Sequence, residues 1–413
     1  MKDVADAVTC RKACGCMLCL DFEVGISIVE GGVVKLVRVE YSENAGTNRQ
    51  WALQPVEVGD VNLVVGKNAT GKTRFITLLL ALAKLIDGQQ KLVFDNGNYC
   101  LDFSESGRLL NYTLVFKDRK ILSERLLRDG EVMFHRSSDG VGEIFYEKQR
   151  QMFPFSVPED VIILSSRRDR LQHPFIELFH KWAAGVRYYP FGTSLGREEL
   201  TNFPAVAALI EDGASMDPSK GNQVYAMGYH RWGEAFDLAI LADLKLLGYQ
   251  CNDVGIRPLD APPLKGLMVG ALFVREVGLE SDTFQTDMSQ GMFRALSMVI
   301  HINYLSFDGL PATVLIDDIG EGLDFERSSA FVSLLVSKCE STDLQLLMTT
   351  NDRFVMNGVA LKHWCILDRK GATVSGVSEK SRPEVFRKFK YLGLNNFDMF
   401  SSSFFKDDVG DSP

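Results

Sequence analysis

The sequence predicts an α/β fold: a mixed central sheet, an antiparallel β subdomain and a helical insertion. Three observations carry this. A short apolar run leads through a glycine-rich loop into a helical pattern at residues 61–86. A series of short strand-like segments separated by turn dipeptides fills residues 99–146. Apolar runs of strand length alternate with helical patterns over residues 267–377. Strand–helix alternation is the mark of a sheet covered by helices, and evenly spaced short strands mark a meander.

The stretch before the loop reads as β structure. Val33–Tyr41 and Val56–Val65 are rich in Val and Leu, and turns fall at Gly31-Gly32 and Gly59-Asp60. Within the second, Val61–Val65 reads as a buried strand, and Arg74–Ile86 has the length and apolar face of a helix. Between them stand Gly66, Lys67, Asn68, Ala69, Thr70, Gly71, Lys72 and Thr73, the pattern G-x-x-x-x-G-K-[ST]. Strand, loop and helix aim successive backbone N–H groups and a helix N-terminus at phosphate oxygens. Gly66 and Gly71 permit the tight backbone, Lys72 is placed to reach the β- and γ-phosphates, and Thr73 to hold Mg²⁺. A nucleoside triphosphate, ATP with Mg²⁺, is the expected ligand.

Beyond the loop helix, Tyr99–Phe103, Leu110–Phe116, Ile121–Arg128, Glu131–Arg136 and Glu143–Tyr146 form the expected meander. Val161–Leu164 reads as a buried strand and Pro174–Gly185 as a helix. Residues 196 to about 260 read as helical and irregular, with Trp232–Leu247 the clearest helix. Leu267–Val277 is expected as a strand, 287–304 as a helix, 312–316 as a strand, 325–339 as a helix and 344–349 as a strand. Cys365–Asp368 and Ala372–Val377 frame a hairpin turn, and the tail from Ser401 is expected to fray. The divisions are a loosely ordered leader at 1–32, a first lobe at 33–195, a helical insertion and partner region at 196–266, a second lobe at 267–380 and a tail at 381–413.

Three further motifs stand in the second lobe. The strand from Thr313 ends in the carboxylate pair Asp317-Asp318, followed by Gly322-Leu323-Asp324. Asp317 is placed to join the Mg²⁺ shell, and Asp318 to polarise an attacking water. Asp287–Arg294 contains Ser289 and Gly291 at the head of an apolar helix, a second anion site that suits a phosphate held by another copy of the chain. Asn351 ends the strand at 344–349, where a polar side chain meets the γ-phosphate from the far side.

The order of these motifs resembles that of ABC-type ATPases: Walker A, a Ser-x-Gly signature, Walker B, a D-loop and a switch strand. Within that superfamily of P-loop ATPases the chain is similar to the SMC/RecF/OLD branch. The resemblance covers residues 33 to about 370. It implies an ABC-type head that forms a head-to-tail dimer with two ATP molecules between the subunits. Ser289 and Gly291 then act in trans, Asp324 lies across the seam and Asp318 is the hydrolytic base. Gln172, after the Val161–Leu164 run, is the candidate for the glutamine that senses the γ-phosphate. The chain departs from the family in carrying Asp318 where Glu is usual and Asn351 where His is usual. It also lacks the long coiled-coil insertion of SMC proteins. Asp-Ile-Gly-Glu-Gly also resembles MutS ATPases, but the Ser289 motif fits that branch poorly.

The stretch after the switch shows no acidic cluster for a nuclease of the OLD type. A separate effector protein is therefore the expected partner, as in the sensor subunits of bacterial two-gene anti-phage systems. A slow or non-hydrolysing ATP-gated scaffold, and a RecF-like DNA-repair ATPase, are the alternatives. The net charge of −9 argues against a broadly basic nucleic-acid-coating protein. Arg167, Arg168 and Arg170 form a local basic cluster that offers either a DNA contact or a salt-bridged corner. No run of about 18 apolar residues predicts a membrane span, and no signal-like N-terminus is visible, so a cytoplasmic setting is expected. Of the eight cysteines, Cys10, Cys14, Cys16 and Cys19 cluster more tightly than in common zinc ribbons. They read as incidental thiols of the leader, with zinc or an iron–sulfur cluster as the alternative.

Overall fold

Strands whose side chains are apolar on both faces need a covering layer on each side. The computed structural model, which describes residues 33–212, 220–259 and 268–406, sets such strands at one end of a 14-stranded sheet of mixed direction. Strands β1 (Val34–Glu43) and β2 (Trp51–Glu57) pair antiparallel, followed by β3 (Val61–Val65) and helix α1 (Lys72–Ile86). The meander is β4 (Asn96–Glu105), β5 (Arg108–Lys117), β6 (Lys120–Arg128), β7 (Glu131–Arg136), β8 (Val141–Tyr146) and β9 (Gln151–Ser156), each antiparallel to the next. Helices α2 (Ile163–Ser166) and α3 (Pro174–Ala184) lead to β10 (Val186–Pro190).

A smaller sheet follows, made of β11 (Thr201–Asn202), β12 (Cys251–Pro258), β13 (Val269–Glu276) and β14 (Thr283–Phe284). It is interleaved with α4 (Phe203–Asp212), α5 (Gly221–Trp232) and α6 (Glu234–Leu246). Then α7 (Gln290–Asp308), β15 (Ala312–Asp317), α8 (Phe325–Glu340), β16 (Leu344–Thr350) and α9 (Arg353–Gly358) alternate. The hairpin of β17 (Trp364–Lys370) and β18 (Thr373–Val377) and helices α10 (Pro383–Tyr391) and α11 (Asn396–Ser401) complete the described chain.

The large sheet runs β10-β15-β16-β3-β17-β18-β2-β1-β4-β5-β6-β7-β8-β9. From β10 to β17 every pairing is parallel, so the strands of the phosphate loop and the carboxylate pair end at one edge. Side-chain alternation divides the core in two. Val61, Leu63 and Val65 pack with α7 and α8, whereas Val64 packs with α1, α3 and the meander. Leu346 and Met348 against Leu347, and Ile366 against Leu367, divide the same way.

Most expected elements are present at nearly their expected bounds, with these corrections. Val161–Leu164 is not a strand: helix α2 begins at Ile163, whose N–H is taken by the Glu124 carboxylate at 2.8 Å. The region 196–260 is not wholly helical, since Cys251–Pro258 pairs with β13. Strands β9 and β10 are additions. The tail does not fray at Ser401. Phe405 is buried, Arg382 donates to its carbonyl at 3.3 Å, and Lys406 pairs with Asp368 at 2.7 Å. The four described cysteines are free thiols, Cys339 and Cys365 buried and Cys100 and Cys251 partly so. The cluster at Cys10, Cys14, Cys16 and Cys19 lies outside the described residues. Among the described residues no helix is long and apolar enough to cross a membrane.

Glu124 gives the fold a pH signature. It is wholly buried and accepts hydrogen bonds from Tyr112 Oη at 3.0 Å and from the Ile163 N–H. Burial pushes its carboxyl up from 4.5 to about 7, against the pull of those donors and of Arg136. The folded state thus holds a proton that the unfolded state has released. The resulting stabilisation is full below pH 4.5 and lost as pH rises through about 7. Over that window the wild type should lose on the order of 3 kcal/mol at about 1.4 kcal/mol per pKa unit, read as a falling Tm. Glu124→Gln should flatten the profile.

Candidate functional site: the phosphate loop and its carboxylates

The loop after β3 rises to a crest of exposed Lys67, Asn68 and Ala69 and returns through Thr70, whose hydroxyl donates to the Lys67 carbonyl at 2.8 Å. Gly71 caps α1 at φ 105°, in the left-handed region. A Cβ at this position would also press on the Trp51 ring at 3.0 Å, so glycine is required twice over. No side chain caps α1. Its first N–H groups remain open to an anion, which the helix terminus favours. Lys72 is buried, and its ammonium donates to the carbonyls of Gly66 at 2.9 Å and Lys67 at 3.4 Å. Burial lowers its pKa, opposed by the charges of Asp318 and Asp317.

The register sets the opposing wall. Thr350 of β16 lies beside Val65 of β3, and Ile316 of β15 beside Met348. The carboxylates at the end of β15 therefore face the loop across β16. Thr73 Oγ1 donates to Asp317 Oδ1 at 3.2 Å, and Thr349 Oγ1 donates to the same oxygen at 2.5 Å. Asp318 takes a left-handed φ of 55°, and its N–H donates to Thr349 Oγ1 at 2.9 Å. Burial raises the Asp318 pKa, with Asp317 and Glu321 adding to the rise and Lys72 opposing it. A higher pKa makes a carboxylate a more willing proton acceptor near neutrality. Thr73 and Asp317 supply two hard oxygens, a donor set that fits Mg²⁺, which takes its other ligands from phosphates and water. Among the described residues no group of three or more His, Cys, Asp or Glu could hold a metal by itself.

A second cluster is built around the start of α7. Ser289 caps that helix by accepting the Met292 N–H at 3.2 Å. A Cβ on Gly291 would lie 2.4 Å from the Gly322 carbonyl, so glycine lets the helix start press against the loop after β15. Arg294 ties the two together, donating to the carbonyls of Glu321, Gly192 and Thr193 at 2.8, 2.8 and 2.9 Å. Asp324 caps α8 and pairs with Arg327, which lowers its pKa. Ser289, Gly291 and Asp324 line one cavity of about 350 Å³, together with Tyr249, Asp287 and Arg327. No phosphate-loop residue lines it.

The structure thus gathers Gly66–Thr73 with Asp317 and Asp318, and gathers Ser289, Gly291 and Asp324 apart from them. Asn351 is exposed and follows Thr350 at the loop-facing end of β16; the next residue, Asp352, caps α9. Gln172 stands in the turn before α3, its N–H bonded to Asp169 at 3.0 Å and its carbonyl to the Glu147 N–H at 3.0 Å. The end of β10 lies beside Asp317: Pro190 is in register with it, and the Phe191 N–H donates to the Asp317 carbonyl at 3.0 Å. Sequence reading missed Thr349, whose signal was a hydroxyl inside an apolar strand. It also missed Arg369, which donates to the Ala69 carbonyl at 2.9 Å, and Arg74, which stacks on Trp51 at 4.5 Å and pairs with Glu43. In the basic cluster, Arg168 pairs with Glu177 at 3.0 Å, Arg170 with the same carboxylate at 3.8 Å, and Arg167 donates to the Ser156 carbonyl at 3.1 Å. Each already has a partner within the chain.

No family model matches the sequence, and no curated protein matches it. Among solved structures, an SMC head bound to the C-winged helix domain of ScpA superposes with a TM-score of 0.50 at 13% identity, over 83% of this chain and 97% of that one. A head domain with an extended coiled coil, bound to the C-terminal domain of ScpA derived from Pyrococcus furiosus, gives 0.46 at 11% identity over 87% and 100%. The SMC head domain from Thermotoga maritima gives 0.41 at 15% over 83% and 98%. The chain has the fold of an SMC head, the ABC-type ATPase fold.

Proposed function

We propose that this chain is a Mg²⁺-dependent ATPase that dimerises around ATP and couples its nucleotide state to a partner. The observation that carries the reading is the split of the two clusters. The lysine loop and carboxylates form one wall, with Asp317 bonded to Thr73. The serine turn and Asp324 share a different, polar cavity. A second copy placed head to tail supplies to each triphosphate what its own chain turns elsewhere. In this arrangement Gly66–Thr73 bind the phosphates, Thr73 and Asp317 hold Mg²⁺, and Ser289 and Gly291 close on the partner's γ-phosphate. Asp324 stands at the seam, Asn351 faces the γ-phosphate, and Asp318 accepts the proton of the attacking water.

Ser289→Asp tests the arrangement. An aspartate preserves the helix cap, which Asp fills as well as Ser, but sets a negative charge against the partner's phosphate. With a hydrolysis-resistant ATP analogue and Mg²⁺, the wild type should double its mass in light scattering. Ser289→Asp should stay single at the same concentration while each chain still binds the analogue. A variant that dimerises like the wild type overturns the trans role of the serine turn.

A second reading, an ATP-gated scaffold with slow turnover, is favoured by the short reach of Asp318 and by Asn351, which has no titrating group. Under either reading the partner is a separate effector protein, with an anti-phage setting as the extended proposal. DNA ranks below it, because Arg167, Arg168 and Arg170 are engaged within the chain.

A further inference from the structure

We propose that Thr349 is a positioning residue of the phosphate site, one that fixes the Asp317 carboxylate and the Asp318 backbone and yokes them to the end of β16. The proposal rests on the triphosphate reading above and deepens it. Thr349 is fully buried, and its single hydroxyl does two things at once. It donates to Asp317 Oδ1 at 2.5 Å and accepts the Asp318 N–H at 2.9 Å. Using donor and acceptor together leaves the hydroxyl no freedom to rotate.

Two further bonds stitch the same strand end to the same turn. The Ile319 N–H donates to the Thr349 carbonyl at 2.9 Å, and Thr350 Oγ1 donates to the Ile319 carbonyl at 2.9 Å. The turn so held is the one in which Asp318 adopts a φ of 55°, a conformation that needs support in a residue with a side chain. With Thr73 and Thr349 both on Oδ1, Asp317 has its plane set, and among the described residues none donates to Oδ2. Asn351 lies two residues beyond Thr349 on the same strand end. The strand end that carries Asn351 is thereby tied to Asp317 Oδ1 and the Asp318 backbone by the Thr349 hydroxyl, and to the turn beyond them by the two Ile319 bonds.

Thr349→Val keeps the shape and removes the hydroxyl; Thr349→Ser keeps the hydroxyl. ATP affinity is measured with Mg²⁺ and with EDTA, and phosphate release alongside. Groups that orient metal ligands are worth about 10–100-fold in metal affinity or activity. In Thr349→Val the gain in ATP affinity on adding Mg²⁺ should shrink by about that factor, phosphate release should fall comparably, and the EDTA affinity should change little. Thr349→Ser should recover most of both. A valine variant with the full magnesium gain overturns the proposal, as does a serine variant as impaired as the valine one, which would show a packing effect. If the wild type binds ATP in neither medium, the triphosphate reading fails and this proposal falls with it; if it binds ATP equally in both, the triphosphate reading stands and the role of Thr349 through Asp317 is overturned.

Discussion

Lys72→Ala should weaken ATP binding roughly 100-fold while leaving the fold intact. The ammonium is enclosed by its own loop, donating to the Gly66 and Lys67 carbonyls. Burial opposes its charge, and Asp318 and Asp317 sustain it. A triphosphate would take over those donor directions with formal negative charge in place of carbonyl dipoles. Charge-assisted hydrogen bonds are worth about 1.5–3 kcal/mol each, and about 1.4 kcal/mol is a tenfold change in affinity. Loss of one or two therefore accounts for the expected effect. Thermal unfolding should shift little, because Lys72 sits in the first turn of α1 and the packing of that helix rests on Phe75, Ile76, Leu79 and Leu82. Isothermal titration with MgATP reads the affinity directly. Wild-type affinity in the variant would refute the assignment of the loop.

Asp318→Asn should lower phosphate release by about 10²–10⁴, the range for losing a general base, with ATP still bound and the dimer persisting. The choice of asparagine follows from the backbone. At φ 55° Asp and Asn are the tolerated side-chain residues. Alanine would add on the order of 1–2 kcal/mol of left-handed strain and mix a stability effect with a chemical one. Asparagine keeps the residue-318 N–H on Thr349 and removes only the proton acceptor. Wild-type turnover no faster than that of Asp318→Asn would remove the hydrolase and leave the scaffold.

The strand, loop and helix around Gly66–Thr73 were legible because their signals are short-range. Val61–Val65 before the loop and Lys72–Ile86 after it match expectation almost residue for residue. The features that were hidden depend on partners far along the chain. Residues Ile162, Ile163 and Leu164 are buried whether they are strand or helix, so apolar character could not decide. What decides is Glu124, 39 residues earlier, taking the Ile163 N–H. Cys251–Pro258 carries Asn252, Asp253, Gly255 and Pro258, all poor strand formers, and is a strand because β13 pairs with it. Val186–Pro190 is held by its parallel pairing to β15. Thr349 looked like one more residue of an apolar run, since its role follows from the register of β16 against β15.

The neighbours of β3 in the sheet are β16 and β17, and β2 pairs with β1 on one side and β18 on the other. During synthesis the ribosome therefore delivers the whole meander, and everything up to residue 343, before β3 has either flank. The five residues of β3 are all buried in the finished molecule, and a nascent chain must carry them as an open edge. Pairings this distant close slowly, and open edges invite association between chains. Completion of the sheet around the Gly66–Thr73 loop thus waits on β16 and β17, which emerge only after the meander and the intervening helices.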